Sequence, residues 1–534
     1  MPSEAYVAFS FPYNAQLVEQ VKAIPNRRYD KNGRRWLVPK AYADQVRQLI
    51  AEFQNPQAYA TITKPTEWHF KTQPWPHQLL GVEYAFPRPA VLLDCGMGVG
   101  KTKIAIDTVF QRQHKSILVT CPKSVVPVWL QQLERHAPGP YVFAALDTGS
   151  VPKNLTLAKI TLIQGQEQGL PCFLITNHEA VWREPFGAWA MMQRWDCLIA
   201  DECHRLKSPS GRASRFMYRL GFRATQRLGL SGTPLPHSPM DAYGVYRVLD
   251  PTIFGTNYVK FRDQYAVIVN YGGFPQIVDY KNTAEFRKKF DTIRYHVSRD
   301  VLDLPEAHHI DIPVPLPEAA AVLYRRLEKD FYAKVGTGEI SVANALVKLL
   351  RLQQLTSGHL PLDDDDETGE KGEIREIHTA KADALSDILA DTDPEEPFVV
   401  FCRFRKDLEA VCRVACSAGR QYYELSGSHK ELEQWKAAEH GAVLGTQIGA
   451  GSEGIDLTKA RYCVFFSISL SLSQFDQAVA RLHRPGQTRT VAYMHLVCPS
   501  TVDTEAYRAL SERRDVIEAI IGKKITSTLE GIET

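Results

Sequence analysis

A chain of 534 residues is too long for one ordinary hydrophobic core, so two or three domains are expected. With 44% hydrophobic and 23% charged residues, the composition is that of a folded globular protein and excludes a fibrous or low-complexity chain. A formal net charge of +2 carries no global signature of a polyanion partner, so any nucleic-acid partner must be argued from local patches and motifs.

No window approaches the ~20 apolar residues of a membrane span. The first residues lack a basic stretch followed by an apolar one. The ten cysteines are scattered. The pairs Cys197/Cys203 and Cys412/Cys416 lack the CxxC spacing of a zinc site, and Cys172, Cys402 and Cys463 sit in apolar runs as small hydrophobes. A reducing cytoplasm, in a bacterial or viral setting, is the expected location.

In chain order, residues 1–58 form a small basic block. Lys22, Arg27, Arg28, Lys31, Arg34, Arg35, Lys40 and Arg47 outnumber Glu4, Glu19, Asp30 and Asp44, and Tyr29 and Trp36 are interleaved with the charges. Over 59–240 short apolar strands alternate with helices: Val91–Leu93, Ile117–Val119, Phe173–Ile175, Cys197–Ile199 and Leu228–Leu230. Near-continuous apolar runs of this length suit a parallel sheet covered on both faces. Residues 241–375 are expected to be a helical insertion, with segments at Ala319–Lys334 and Val342–Leu355 and a solvated acidic run at Asp363–Glu367. The alternation returns over 376–510, with strands at Phe398–Phe401, Ala442–Leu444 and Val464–Phe466, and a last helix is expected from Val502 to Ile520 within a tail reaching 534. The fold class is therefore α/β, with two parallel-sheet lobes.

The strand Val91-Leu92-Leu93-Asp94 runs into Cys95-Gly96-Met97-Gly98-Val99-Gly100-Lys101-Thr102 and then into a helical run. Strand, glycine-rich turn and helix form the setting in which successive backbone N–H groups cradle phosphate at a helix N-terminus. Gly98, Val99 and Gly100 would line the cradle, Lys101 would reach the β- and γ-phosphates of ATP, and the Thr102 hydroxyl would ligate magnesium. The strict motif carries glycine six residues before the lysine, where this chain has Cys95.

About a hundred residues on, Cys197-Leu198-Ile199-Ala200 precedes Asp201-Glu202-Cys203-His204. A strand ending in two carboxylates places them at the C-terminal edge of the sheet, beside the phosphate loop. Asp201 can hold magnesium and Glu202 can orient and deprotonate the attacking water. His204 is expected to link the nucleotide to the next motif.

These residues together resemble a known family. Asp201 to Lys207 resembles the DExH box of superfamily-two ATPases in the Swi/Snf-type branch, and Leu230-Ser231-Gly232-Thr233-Pro234-Leu235 resembles the third motif of that branch. Thr120 to Ser124 with Trp129 resembles its DNA-contacting motif, and Pro76-His77-Gln78 the element whose glutamine reads adenine. Further on, Gly451 to Leu457 resembles the fifth motif and Gln477 to Gln487 the sixth. The resemblance implies two RecA-like lobes with ATP between them. Gly454 and Asp456 would belong to the nucleotide site, Arg481 and Arg484 would be arginine fingers, and Ser124, Ser231, Thr233 and Gln477 would couple hydrolysis to the track. Guanidinium forks suit that role because phosphoryl transfer spreads negative charge over the γ-oxygens.

The basic block resembles the HARP module of annealing helicases at Phe11 to Asn14, Ile24 to Asp30 and Trp36 to Pro39. The resemblance implies that Arg27, Arg28, Arg34 and Arg35 neutralise DNA phosphates and that Trp36 stacks on an exposed base. The expected function is an ATP-dependent translocase on duplex or forked DNA, for which a monomer suffices. The alternatives are an RNA-directed helicase or RNA polymerase recycling factor on the same motor, a chromatin remodeller, and a scaffold that binds nucleic acid without catalysis.

Overall fold

The computed structural model describes residues 6–11, parts of 18–47 and, with short gaps, 65–512. Arg34, Thr233, Gly454, the acidic run at 363–367 and residues 513–534 lie outside the described residues. The chain divides into two compact units, Met1–Val301 and Leu302–Thr534.

Unit one opens with strands β1 (Tyr6–Phe9), β2 (Arg28–Asp30) and β3 (Arg35–Pro39) in a small antiparallel sheet of order β1-β3-β2. Phe9, Val21, Ile24, Val38, Ala43 and Val46 form a core of their own beneath it. The main sheet follows: β4 (Ala90–Cys95), β5 (Ser116–Cys121), β6 (Val142–Ala145), β7 (Cys172–Asn177), β8 (Trp195–Asp201) and β9 (Ala224–Ser231). Helix α1 (Pro76–Ala85) precedes β4, and α2 (Lys101–Gln111), α3 (Val126–His136), α4 (Phe186–Met192) and α5 (Arg212–Gly221) run between the strands. A hairpin, β10 (Ala266–Tyr271) with β11 (Phe274–Tyr280), precedes β12 (Arg294–Val297). The sheet order is β12-β4-β9-β8-β5-β7-β6, and every pairing is parallel.

All five strands expected in this region fall inside observed ones. Each central strand is buried along most of its length around an apolar run, as helices on both faces require. Each fully buried Val, Leu or Ile there contributes roughly 1.5–3 kcal/mol from burial.

Unit two repeats the plan. Strand β13 (Ala307–Pro313) begins it, and the short pair β14 (His359–Pro361) and β15 (Ile374–Glu376) follows. The remaining strands are β16 (Phe398–Cys402), β17 (Tyr422–Leu425), β18 (Val443–Gln447), β19 (Tyr462–Phe465) and β20 (Val491–Val497). The parallel order is β13-β20-β19-β16-β18-β17. Helices α6 (Ala380–Ala390), α7 (Leu472–Leu482) and α8 (Val502–Ser511) belong to this unit.

The stretch 241–375 carries the two expected helical segments, as Glu318–Gly336 and Val342–Thr356, together with strands that the sequence pattern does not announce. Two of its strands are built into the main sheets, β12 beside β4 in unit one and β13 beside β20 in unit two. The physical reason is edge position. An edge strand needs no continuous apolar run, and Arg294-Tyr295-His296 and His308-His309-Ile310-Asp311 offer none. The division between the two compact units falls at Val301/Leu302, within this stretch.

Candidate functional site: a phosphate loop beside a carboxylate pair

The buried strand β4 delivers the chain into the loop at 96–100. Gly98 and Gly100 stand at φ of 83° and 98°, a region that L side chains rarely adopt, so glycine lets the loop turn its N–H groups inward. Gly100 is the N-cap of α2, whose first residues are Lys101 and Thr102. A Cβ at Gly100 would collide with the Gln78 amide, and one at Gly96 would meet Arg299 Cγ at 2.5 Å. The loop is thus clasped from two sides.

Gln78 is buried at the start of α1. Its Oε1 accepts from Trp75 N at 3.0 Å, and its Nε2 donates to Val99 O at 2.9 Å. His77 Nε2 lies 3.0 Å from the same carbonyl. In this geometry the Gln78 amide fastens α1 to the phosphate loop. Cys95, where the strict motif has glycine, is buried, and burial pushes its thiol up to about 12, so it remains a neutral packing residue.

The sheet order places the C-terminal ends of β4, β9 and β8 side by side. Asp201 ends β8. Its Oδ2 accepts from Trp129 Nε1 of α3 at 3.0 Å, and its Oδ1 accepts from Glu202 N at 3.0 Å. Burial pushes the Asp201 carboxyl above the usual range. The neighbouring Glu202 adds to that shift, while Lys101 and the Trp129 hydrogen bond oppose it.

Glu202 itself sits at φ 48°, a left-handed conformation unusual for a side chain of its size, which swings its carboxylate off the strand line. Its Oε1 lies 3.7 Å from Lys101 Nζ and its Oε2 lies 3.3 Å from His204 Nδ1. His204 Nδ1 is also 3.2 Å from Ser231 Oγ at the end of β9. One line of contacts therefore runs from the phosphate-loop lysine through Glu202 and His204 to the third motif.

Thr102 and Asp201 offer a hydroxyl and a carboxylate, the hard oxygen donors that magnesium takes, and the loop offers phosphate its N–H groups. The residues present fit both groups.

In unit two, α7 carries the buried Gln477 and, in its last turn, the half-buried Arg481. Arg484 Nη1 donates to Ile455 O at 3.1 Å. Asp456 Oδ1 accepts from Thr458 N at 3.0 Å and Thr458 Oγ1 at 2.8 Å. Burial alone would raise the Asp456 carboxyl, but these hydrogen bonds and Arg484 outweigh it and hold it below the usual range. Gln487 is buried, and its Nε2 donates to Ala460 O at 3.0 Å and Thr458 O at 3.2 Å, so it staples the sixth motif to the loop after the fifth.

Ser124 is exposed on a short 3-10 turn before α3. In the basic block Arg27, Arg28 and Arg35 are exposed, and Arg35 Nε pairs with Asp30 Oδ2 at 3.0 Å. Trp36 is half-buried and packs against the block's core, with its ring centroid 4.9 Å from that of Tyr29. Its ring already has a partner within the block.

Several functional contacts were missed by sequence reasoning. Trp129 reads as a motif residue, but nothing nearby shows that its partner is Asp201, 72 positions on. His178 Nε2 lies 2.8 Å from Asp201 O, and burial holds that imidazole down to about 4, so it is neutral and donates. Asp94 accepts from Arg294 Nε at 2.7 Å and lies 2.9 Å from His296 Nδ1, which ties β12 to the strand before the loop. The one available signal was charge. Asp94 is an acid in an apolar strand and implies a cation partner.

A glycine loop at a strand end, a lysine at the following helix start and two carboxylates on a neighbouring strand define the class: a P-loop nucleotide-hydrolysing protein. Comparison with known families is specific. Residues 29–358 match the SNF2-related domain and 380–486 the helicase conserved C-terminal domain. The chain belongs to the SNF2-related family and is a helicase-type, nucleic-acid-dependent ATPase. Among its relatives, protein p41 of Acyrthosiphon pisum secondary endosymbiont phage 1 is 24% identical over 470 residues, covering 84% of this chain and 96% of that protein. The Caenorhabditis elegans homolog of SWI/SNF-related matrix-associated actin-dependent regulator of chromatin subfamily A-like protein 1 is 23% identical, covering 95% of this chain and 73% of that one. Human DNA annealing helicase and endonuclease ZRANB3 is 24% identical, and the match spans 83% of this chain but 40% of ZRANB3. Among solved structures, the Sulfolobus solfataricus SWI2/SNF2 ATPase core in complex with dsDNA is similar at 19% identity and a TM-score of 0.41, covering 86% of this chain and 96% of that one. Among the described residues, no helix is long and apolar enough to cross a membrane.

Proposed function

We propose that the protein is an ATP-driven translocase on duplex or branched DNA, acting in fork remodelling, strand annealing, recombination or repair. The observation that carries the reading is the convergence of Lys101, Asp201 and Glu202 at the ends of neighbouring strands, with His204 joining Glu202 to Ser231. The named annealing-helicase relative and the basic block support the choice of DNA.

The loop N–H groups and Lys101 hold the β- and γ-phosphates of ATP. Thr102 and Asp201 would hold magnesium, which when bound neutralises charge on the phosphate oxygens. Trp129 and the Glu202 N–H keep the Asp201 carboxylate aimed. Glu202 takes a proton from the water that attacks the γ-phosphorus. Arg481 and Arg484 supply guanidinium groups for the charge that develops on the γ-oxygens. Asp456 and Gly454 complete the nucleotide site. Ser231, Thr233, Gln477 and Ser124 pass the change of nucleotide state to the DNA backbone.

The test is ATP hydrolysis at one fixed salt concentration with no nucleic acid, single-stranded DNA, duplex DNA, forked DNA and RNA. Strong stimulation by duplex or forked DNA is expected, and stimulation by RNA alone would overturn the DNA reading. Lys101→Ala is predicted to abolish hydrolysis under every condition, and turnover at the wild-type rate would overturn the site.

A further inference from the structure

The sequence of α5 places Arg212, Arg215 and Arg219 three and four residues apart, and Arg223 follows four residues later, just past the helix end. That spacing keeps all four on one side. The opposite side, Ser214, Met217, Leu220 and Gly221, is buried in unit one. Arg212, Arg215 and Arg219 are exposed and Arg223 is half-buried. Among the described residues, Arg215 and Arg219 form no ion pair with a carboxylate. In a chain with 63 basic and 61 acidic residues, three exposed arginines on one helix face are a local departure from balance.

The row forms one wall of a groove of about 510 Å³, closed by α4 and by Ile24 and Tyr42 of the basic block. None of the groove's residues belongs to the phosphate loop or the carboxylate pair. Two of the arginines are held in place: Arg223 Nε donates to Met191 O at 2.9 Å, and the Arg212 guanidinium lies 5.2 Å from the Trp182 ring centroid. The groove's one carboxylate, Glu184, has its Oε2 accepting from Ala188 N at 3.1 Å and so serves its own helix. The basic block that closes the groove adds Arg27, Arg28 and Lys40, all exposed.

We infer that this groove is a second DNA-binding site, which holds the sugar-phosphate backbone of a DNA arm separate from the segment engaged by the motor motifs. The inference rests on the DNA reading proposed above. Its physical basis is charge and spacing. From Arg212 to Arg219 the helix rises ~10 Å, so its three exposed arginines stand roughly 4–6 Å apart. A DNA strand rises 3.4 Å per phosphate, so such a row spans about three or four phosphates and can pair with three of them. Arginine forks suit phosphate oxygens, and Tyr42 offers a ring beside them. The site would let the protein prefer a branched substrate, because only a branch supplies a second arm.

The test uses the full chain with Arg212→Gln, Arg215→Gln and Arg219→Gln combined, and the same three positions changed to Lys. Binding to forked and to linear duplex DNA is measured over a salt series, together with ATPase without DNA. The Gln variant is expected to keep its DNA-free ATPase. Its slope of log K against log salt on forked DNA is expected to be shallower by about 2 to 3, with the linear-duplex slope nearly unchanged. The Lys variant should recover most of the fork slope. An unchanged fork slope in the Gln variant, while wild type binds both DNAs, overturns this inference alone. An equal change on fork and linear duplex overturns the second-arm assignment. Displacement of an acidic peptide by the same mutations, without any change in DNA binding, would assign the groove to a protein partner and also overturn it. No binding of wild type to either DNA overturns the DNA reading beneath it.

Discussion

The two units share one plan, a buried parallel sheet, and use buried polar residues for opposite ends. In unit one those residues gather at the strand ends around the phosphate loop. Asp201 sits between Trp129 and the Glu202 N–H, and Lys101 lies 3.7 Å from Glu202. In unit two a fully buried pair holds architecture together. Lys381 Nζ of α6 is 2.7 Å from Asp503 Oδ2 of α8, and Thr356 Oγ1 donates to Asp503 Oδ1 at 3.0 Å. The arginines proposed above as fingers in unit two, Arg481 and Arg484, are only half-buried. The difference teaches that a buried charge marks chemistry when its neighbours leave it facing a loop built for phosphate. When its partners complete it, it marks a brace.

Glu202→Gln should sharpen this contrast most. We predict that it binds nucleotide as wild type does and turns over at least ~10²-fold more slowly, because the general base is lost while the loop stays intact. Single-turnover hydrolysis beside a nucleotide-binding titration measures both, and an unaltered turnover would remove Glu202 as the base. Its global stability should change little.

Lys381→Met is the mirror experiment. It strands the Asp503 carboxylate in the interior, and a loss of about 3–5 kcal/mol in stability is expected by urea unfolding. Pairing it with Asp503→Leu should recover most of that loss. A single variant as stable as wild type would break the comparison, because the pair would then not be a brace.

The smallest expected effect is a pH dependence. His178 is fully buried and held to about 4, against an ordinary value near 6.5. Between those values the unfolded chain binds a proton that the folded chain does not, so stability falls as pH drops through that window. At pH 5 the loss attributable to His178 is ~2 kcal/mol relative to pH 7.5. His178→Gln should flatten thermal stability between pH 7.5 and 5 compared with wild type. Parallel curves would show that His178 does not carry the effect.

Legibility in the sequence followed burial. The central strands β4, β5, β7, β8 and β9 are covered on both faces, so their apolar runs announced them, and the phosphate loop and the Asp201-Glu202 pair could be placed at their ends. The edge strands β12 and β13 are polar, so no apolar run announced them, although they complete the two sheets. Within the site, identities were readable and partners were not. Gln78 reads as a base-contacting residue, yet its amide bonds Val99 O and the start of α1. Trp36 reads as a stacking platform, yet its ring meets Tyr29 across two strands. Such pairings depend on register, which a linear pattern does not encode.

The parallel pairing of β4 with β12 also has a consequence for biosynthesis. Arg294 closes on Asp94 across 200 positions, and β13 waits almost as long for β20. On a ribosome adding ~5–20 residues each second, about 10–40 seconds separate the emergence of β4 from that of its edge partner β12. During that interval the strand that carries the phosphate loop exposes an unpaired edge to every other nascent chain nearby. The unit that carries the phosphate loop is therefore born unfinished, and its last stitch is sewn by the segment that leads directly into the second unit.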